Sequence, residues 1–486
     1  MVQRDDMITG IWRIKWWKYR YVLVAGLLAN ILLINHFFFD QSITDLSPFP
    51  PPKPPTDHIP PPPNPVEAGH APPPKSESPP PSAVGPVLPT SSSTFNIYDY
   101  NFNAEFVGWP LERLCKETVW VEGLVFVCDN NSGGIGNIRN FILTCIRYAI
   151  DSGATGMIMP QIQRRSEEDL ANLFNTGFQP FTYFFDDQHF ISSMTTFCPQ
   201  IKIFPSKKEI PHTAAIDEIA EFYPKDLGDL DGCDGRGVNR HLDQFRGKFD
   251  QWRLDNNHNS SWDRPTTVRF RWATFFEWPI YRDGPEFAAT FGDLLRINKD
   301  VEAIAIKVLK ELSRFAGVEP SPTKLSAPYL GVHLRTESDA LGFWPDYEVQ
   351  SEGYLKEAEH RNLKHAYLAC GNASEGHRFA EKAMDRLQLR VTSKLDLLKG
   401  QDLAKLQALS WDQQALVDYL VLTKSTHFTG CSFSSFTMNI SFKRHLMTGG
   451  IHSRPWKSPG DAFSTLVGRF ESWYGDWMFM YECMWP

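Results

Sequence analysis

The chain has 486 residues, of which 36 are proline, and its formal net charge at pH 7 is -8. That length accommodates more than one compact domain. The negative charge excludes a global basic field of the kind that attracts nucleic acid, so we expect no nucleic-acid partner.

Residues 21–39 form an uncharged, apolar segment. Nineteen helical residues reach about 28 Å, close to the ~30 Å hydrocarbon core of a bilayer. Basic residues such as Arg13 and Lys15 precede the segment, and Asp40 follows it. A cleaved signal peptide is the alternative, but no small-residue cleavage site follows. We predict a cytosolic tail over 1–20 and a single-pass type II membrane anchor over 21–39, with the rest of the chain in the lumen of the Golgi or ER.

Residues 40–95 are dominated by proline. Nineteen prolines lie between Asp40 and Thr94, in runs that favour polyproline II over helix or sheet. We predict a disordered stalk that separates the folded part from the membrane. A ligand for a Pro-recognising module is the alternative.

Residues 96–324 are predicted to form an N-terminal lobe. Its clearest unit lies over 123–160, where an apolar strand, a glycine-rich loop, an amphipathic helix and a second strand make a βαβ unit. The stretch 205–265 is rich in Gly, Asp, Asn and Pro, which predicts long loops.

Residues 325–486 are predicted to form a C-terminal lobe with the same alternation. PYLGVHLR and HAYLACG give strands, and a helix near 351–362 and the segment ASEGHRFAEKAMDRL give helices. Such alternation indicates a mostly parallel sheet, which binds ligands beyond the carboxyl ends of its strands. We therefore predict an α/β fold of two lobes facing a cleft.

All eight cysteines follow the stalk. Their even number permits disulfides in a lumenal protein. Cys128 and Cys370 lie in apolar runs and are interpreted here as possible buried thiols. Four sequons, at Asn130, Asn259, Asn372 and Asn439, fit a lumenal location without proving it.

His333 and Arg335 end the strand of the C-terminal lobe. Strand alternation places both side chains on one face. A guanidinium at a strand's carboxyl end is suited to a phosphate. The alternative is an ordinary ion pair between Arg335 and Glu337 or Asp339.

Ser434, Ser435 and Phe436 stand before a predicted helix, TMNISFKRHL. Hydroxyl groups and free backbone N–H groups at a helix start make an anion site, although routine serine capping explains the same residues.

Two further motifs are candidate components of the site. Asn137 closes a glycine-rich loop, SGGIGN, that allows a ligand to approach the backbone. Asp229 and Asp231 have the spacing of a divalent-metal site, with a solvated loop as the alternative.

Together these segments resemble the protein O-fucosyltransferase family, within the GDP-fucose-dependent fucosyltransferases. The resemblance rests on GGIGN, GVHLRTESD and THFTGCSFSSFT, in that order, within 123–445. It implies a GT-B-like fold of two Rossmann-like lobes and a glycosyltransferase that moves fucose from GDP-fucose to a glycan or protein hydroxyl with inversion. GDP-fucose would be the donor substrate, with no cofactor and no tightly held metal.

The resemblance also implies roles for individual residues. Arg335 would hold the β-phosphate and stabilise the departing diphosphate. His333 would contact the nucleotide, and Asn137 would face the sugar. The phosphate and base pocket would be lined by Ser434, Ser435 and Phe436.

One departure concerns the general base. Related enzymes carry Arg or Glu in the glycine-rich loop where this chain has Gly134. Asp129 and Glu337 are possible substitutes. A metal-dependent transferase that uses another nucleotide sugar and a non-catalytic glycan-binding protein are the alternative functions.

Overall fold

The computed structural model describes residues 96–486, apart from residues 104, 170, 171, 173–176, 213–218, 224–244, 272–277, 326, 338–343, 433, 447–460 and 469–482. The strands in chain order are β1 (Val121–Val127), β2 (Ala154–Ile158), β3 (Ile162–Gln163), β4 (Phe178–Gln179), β5 (Lys202–Phe204), β6 (Ala220–Phe222), β7 (Thr266–Phe270), β8 (Leu330–His333), β9 (His365–Ala369), β10 (Arg390–Thr392), β11 (His427–Cys431) and β12 (Ser464–Val467).

The α-helices in chain order are α1 (Trp109–Glu117), α2 (Ile135–Asp151), α3 (Asp187–Phe197), α4 (Phe245–Asp255), α5 (Pro285–Thr290), α6 (Lys299–Phe315), α7 (Tyr347–His360), α8 (Ala373–Leu387), α9 (Lys394–Leu397), α10 (Gly400–Gln407), α11 (Trp411–Thr423) and α12 (Ser435–His445). The 3₁₀ turns within the described ranges are Phe181–Tyr183, Lys207–Glu209, Ile280–Asp283 and Phe291–Leu294.

Two five-stranded sheets organise the described residues. The first has the order β5-β2-β1-β7-β6 and the second the order β10-β9-β8-β11-β12. Every neighbouring pair in both sheets is parallel. The predicted α/β class with two parallel sheets is confirmed, and β1 and β8 are the central strands. The predicted division between 324 and 325 falls in the connection from α6 to β8.

The core of the first sheet is apolar and aromatic. Most of β1 is buried, as expected for a parallel strand covered on both faces. Helix α2 is buried along almost its whole length, because it lies between the first sheet and the helices α11 and α12. Phe126, Phe222 and Phe270 pack in one aromatic cluster with centroid distances of 4.9 to 5.0 Å where they touch.

Among the described residues, two disulfides have both of their cysteines in this half of the fold. Cys115 is bonded to Cys198, which ties α1 to the end of α3. Cys128 is bonded to Cys145 and joins the end of β1 to α2. The interpretation of Cys128 as a buried thiol was therefore wrong, because the first strand and helix of the βαβ unit pack side by side. Cys370 is a free thiol.

The second sheet is covered by a separate apolar cluster. Val332 and Leu334, on the face of β8 opposite His333, are fully buried among residues of α7, β9 and α8. The predicted strand 365–369 and the predicted helix 373–387 are both present. The helix expected near 351–362 spans Tyr347–His360, after an Asp346 cap that accepts a hydrogen bond from Val349 N.

The stretch 205–265 is only partly loop. It contains β6 and α4 as well as the 3₁₀ turn Lys207–Glu209. Phe245 and Phe249 of α4 are fully buried against the first sheet. Helix α4 was not predicted from the sequence, because its composition is polar and only one apolar edge of it contacts the core.

The segment 96–103 and the last described residues, 483–486, both lie against the folded body. The buried Lys424 Nζ donates to the Asn96 and Asn101 carbonyls and to Asp99. Trp485 is fully buried beside Phe287 and Phe291.

The anchor predicted over 21–39 and the stalk predicted over 40–95 lie outside the described residues. Within the part of the chain that is described, no helix combines the length and apolarity needed to cross a bilayer.

Candidate active site

A cleft of ≈ 560 Å³ opens at the carboxyl ends of both sheets. The loop after β1 and the residues after β8 both line it, as expected for parallel sheets that bind ligands where the connections diverge from a central strand. The lining includes Gly134, Asn137, His333, Arg335, Ser434, Ser435 and Phe436. All six residues predicted for the site are therefore brought together in one cavity.

A larger concavity, ≈ 930 Å³, lies at the other end of α2. Its guanidinium groups are already engaged: Arg147 binds Asp283 through two hydrogen bonds of 2.8 Å, and Arg246 donates to Asp250 at 2.8 Å. This hollow is built from internal ion pairs, so we assign the chemistry to the smaller cleft.

Two helix N-termini meet in the cleft. Helix α2 begins at Ile135 and α12 begins at Ser435. A Cβ atom placed on Gly136 would lie 2.6 Å from the Ser435 carbonyl oxygen, so the two backbones touch and leave no room for a side chain. The first N–H groups of a helix have no intrahelical acceptor and carry its partial positive charge. The arrangement directs two such ends toward one cavity.

Arg335 extends from the end of β8 into the cleft. Its backbone is fixed by the buried Gln350, which accepts from Arg335 N at 2.9 Å and donates to Arg335 O at 2.8 Å. Its side chain, 12 % exposed, pairs with Glu337 and lies over the Trp344 ring at 5.3 Å from the ring centroid.

The ion pair that was the alternative for Arg335 is therefore present. Glu337 binds Arg335 through one oxygen and accepts from Gly371 N at 2.7 Å through the other. The pair does not close the site, because both residues line the cleft beside Ser434 and Ser435.

His333 is held as a neutral ring. Its Nδ1 shares a hydrogen bond of 2.7 Å with Thr437 Oγ1 on the first turn of α12, and its ring lies 4.6 Å from that of Phe436. Burial, together with the Arg335 charge, lowers the pKa of His333 to about 3. His333 therefore offers shape and hydrogen bonding at neutral pH, not charge.

Asn137 and Gly134 form the opposite wall of the cleft. Asn137 is on the first turn of α2, and Gly134 is its N-cap. A Cβ on Gly134 would meet no atom within 4 Å, so the space beside this N-cap is open.

The two carboxylates considered as general bases both bind arginine. Asp129 accepts two hydrogen bonds from Arg269, of 2.9 and 3.0 Å, and both Glu337 oxygens are occupied as described above. These contacts disfavour either residue as a base.

Other residues of the cleft were not predicted from the sequence. Asp412 follows the Ser410 cap of α11, and burial raises its pKa to about 6. Deeper in the cleft, Asp418 accepts from Tyr367 Oη at 2.6 Å and pairs with Lys394. One indication of Asp418 was present in the sequence, because it is the charged residue within the apolar run ALVDYLVL.

Asp229 and Asp231, the alternative metal site, lie outside the described residues. In the described ranges there is no group of three or more His, Cys, Asp or Glu side chains that would hold a metal ion.

Solved structures similar to this chain include three fucosyltransferases. POFUT1 in complex with GDP is 13% identical with a TM-score of 0.43, covering 72% of this chain and 100% of its own. A variant of Arabidopsis thaliana FUT1 in complex with GDP is 10% identical with a TM-score of 0.34, covering 70% and 71%. The fucosyltransferase NodZ from Bradyrhizobium is 14% identical with a TM-score of 0.36, covering 67% and 92%.

No curated protein matches the chain. The family model described as GDP-fucose protein O-fucosyltransferase matches residues 124–447, which is more than half of the chain. All residues predicted for the site fall in that range. The chain therefore belongs to the GDP-fucose protein O-fucosyltransferase family and is a fucosyltransferase whose donor is GDP-fucose.

Proposed function

We propose that this enzyme transfers fucose, with inversion at the anomeric carbon, to a hydroxyl group of a glycan or a protein. The observation that carries the proposal is the meeting of Arg335 with two helix N-termini in one cleft. That combination supplies fixed positive charge where a diphosphate leaving group would develop negative charge.

The diphosphate binds between Arg335 and the start of α12. The guanidinium contacts the β-phosphate, and Ser434 and Ser435 contribute hydroxyl and backbone N–H donors. Because Gly136 touches Ser435, the start of α2 adds its own partial charge to the same region.

The nucleoside and the sugar lie on opposite sides of this diphosphate. His333 and Phe436 present a neutral, largely apolar surface to the nucleotide. Asn137 faces the fucose with an amide that both donates and accepts hydrogen bonds.

In the transfer step, the acceptor oxygen forms a bond to C1 of fucose while the bond from C1 to the β-phosphate oxygen breaks. The electron pair leaves with GDP, and Arg335 stabilises the added charge. The hydroxyl proton passes to the departing phosphate, because Asp129 and Glu337 are both occupied by arginine.

The location of the enzyme is part of the same proposal. The apolar segment 21–39, the basic residues before it and the proline-rich stretch after it support a type II protein of the Golgi or ER membrane with a lumenal catalytic domain. Full-length chain should stay with membranes under alkaline carbonate extraction, whereas a chain lacking residues 1–39 should be released.

The function is tested with radiolabelled GDP-fucose and a panel of glycan and peptide acceptors. We expect transfer to at least one acceptor class, a product whose anomeric configuration by NMR is opposite to that of the donor, and an unchanged rate in excess chelator. Loss of activity with the chelator would favour a metal site at Asp229 and Asp231 instead. Retained configuration would contradict the inverting step.

A further inference from the structure

The four sequons of the chain differ in where the fold places them. We propose that Asn259, alone among them, carries an N-linked glycan. The inference rests on the lumenal location proposed above. In the modification, the bond from Asn259 Nδ2 to C1 forms as the C1–O bond of a lipid-linked oligosaccharide diphosphate breaks. The diphosphate leaves with the electron pair, and Nδ2 gives up one proton.

Asn259 lies in the loop 256–265 between α4 and β7, and its side chain is exposed. Ser261 completes the Asn-Ser-Ser sequon. The loop is anchored through Trp262, whose ring lies 6.0 Å from that of Phe204 and 4.8 Å from Lys202 Nζ. A fixed, solvent-facing loop is the setting in which a bulky polar group is tolerated.

The same loop lies on the side of the first sheet away from the cleft. It directly precedes β7, so it belongs to the amino-terminal edge of a parallel sheet whose carboxyl edge forms the cleft. A Cβ on Gly123, near the start of β1, would lie 2.1 Å from the Ser261 carbonyl oxygen, which confirms the contact at that edge. A glycan on Asn259 therefore leaves the active site open.

Asn439 is incompatible with a glycan in the folded enzyme. It is fully buried on α12, its Nδ2 donates to Trp485 O at 2.7 Å, and its Oδ1 accepts from Tyr419 Oη at 2.7 Å. A sugar on this nitrogen would replace the Trp485 contact and would have no space.

Asn130 and Asn372 follow strands β1 and β9, respectively, at the cleft edge. Asn130 comes soon after β1, and its Nδ2 is buried. Asn372 caps α8 and directly follows Cys370 and Gly371, which line the cleft. A glycan at either position would crowd the opening through which donor and acceptor must pass.

The test uses the full-length chain expressed in eukaryotic cells and compares gel mobility before and after treatment with peptide N-glycosidase. We expect one glycan on the wild-type chain, none on the Asn259→Gln or Ser261→Ala variant, and one on the Asn372→Gln variant. Pro89→Asn, which completes a sequon with Ser91 in the predicted stalk, serves as the reporter of lumenal entry and should add a second glycan.

A glycosidase shift that persists in Asn259→Gln, or that disappears in Asn372→Gln, would overturn the assignment. So would a Pro89→Asn chain that carries one glycan in total, because the reporter sequon would then be its single modified site. If even the reporter sequon at Pro89→Asn carries no glycan, the chain does not enter the lumen and the proposal fails. Fucosyl transfer by the purified enzyme would be unaffected by that result.

Discussion

Gly136 is the residue at which the two helix N-termini of the site touch. Its missing side chain lets the backbone of α2 reach the Ser435 carbonyl. A glycine on the first turn of a helix costs stability relative to alanine, so its presence here is explained by the close approach and not by helix formation.

We predict that Gly136→Ala separates the two helix ends. The added methyl group should destabilise the fold by about 1–3 kcal/mol, as overpacking does, and should lower kcat/KM by at least about tenfold. Steady-state kinetics and thermal unfolding measure both effects. Gly247→Ala is the matched control, because Gly247 is exposed on α4 and no atom lies within 4 Å of a Cβ built there. Equal activity of the two variants would show that the contact is dispensable.

Burial of Asp412 lowers the free energy of unfolding by an amount that depends on pH. Burial raises its pKa from 3.8 to about 6, even though the Arg165 charge and backbone N–H act in the opposite direction. The folded state therefore prefers the neutral carboxyl group, and ionisation above pH 6 lowers stability relative to an uncharged residue.

We predict that Asp412→Asn is more stable than the wild type at pH 7.5. The rise of the Asp412 pKa from 3.8 to about 6 corresponds to about 3 kcal/mol. The difference in unfolding free energy between the variant and the wild type should shrink as pH falls through 6 and vanish below pH 4. Urea unfolding at several pH values measures it, with the exposed Asp385→Asn as control. A constant difference across this pH range would rule out the titration of Asp412 as its cause.

At the level of elements, α2 and α12 are held together behind the site by Trp485. Its carbonyl accepts from Arg139 of α2 at 3.3 Å and from Asn439 of α12 at 2.7 Å. Its indole Nε1 donates to Thr144 at 3.2 Å. The spacing of the two helix ends therefore depends on a residue near position 486 of the chain.

We expect Trp485→Ala to destabilise the fold by about 3–5 kcal/mol, the usual cost of truncating a buried tryptophan. Activity should fall further than the folded fraction does, because the indole contacts with Thr144, Phe287 and Phe291 fix the backbone carbonyl that joins α2 to α12, and that carbonyl can shift once they are lost. The control is Trp109→Ala, since that side chain is 50% exposed at the start of α1. Thermal unfolding combined with kinetics at low temperature separates the two effects, and similar losses in both variants would contradict the role of Trp485.

The elements that were predicted from the sequence are those with strong local patterns. The strand before His333, the strand before Cys370 and the helices of α8 and α12 follow from apolar runs with turn or cap residues beside them. Helix α4 was missed because its apolar edge is narrow. The Asp412–Arg165 contact joins residues 247 positions apart, and nothing in local sequence indicates such a pairing.

At the level of the whole molecule, the proposed function divides the donor between the two sheets, with phosphate and nucleotide contacts assigned to the second sheet and the sugar contact to the first. The motifs near 335 and 434 could be related in advance because parallel strands of one sheet end at a common edge, whereas the motif near 137 was added to the same site through the family resemblance. The closeness of Gly136 to Ser435 could not be predicted from the sequence, since it depends on how the two sheets pack.

The most direct test of Arg335 is a calorimetric comparison of GDP with GMP. If the guanidinium contacts the β-phosphate, Arg335→Ala should weaken GDP binding by about 1.5–3 kcal/mol, roughly 10- to 150-fold, and leave GMP binding unchanged. Arg386→Ala, an arginine 47% exposed on α8 that pairs with Glu352, is the control and should change neither. An equal loss of affinity for GDP and GMP, or no loss for either, would contradict the central claim that Arg335 binds the leaving diphosphate.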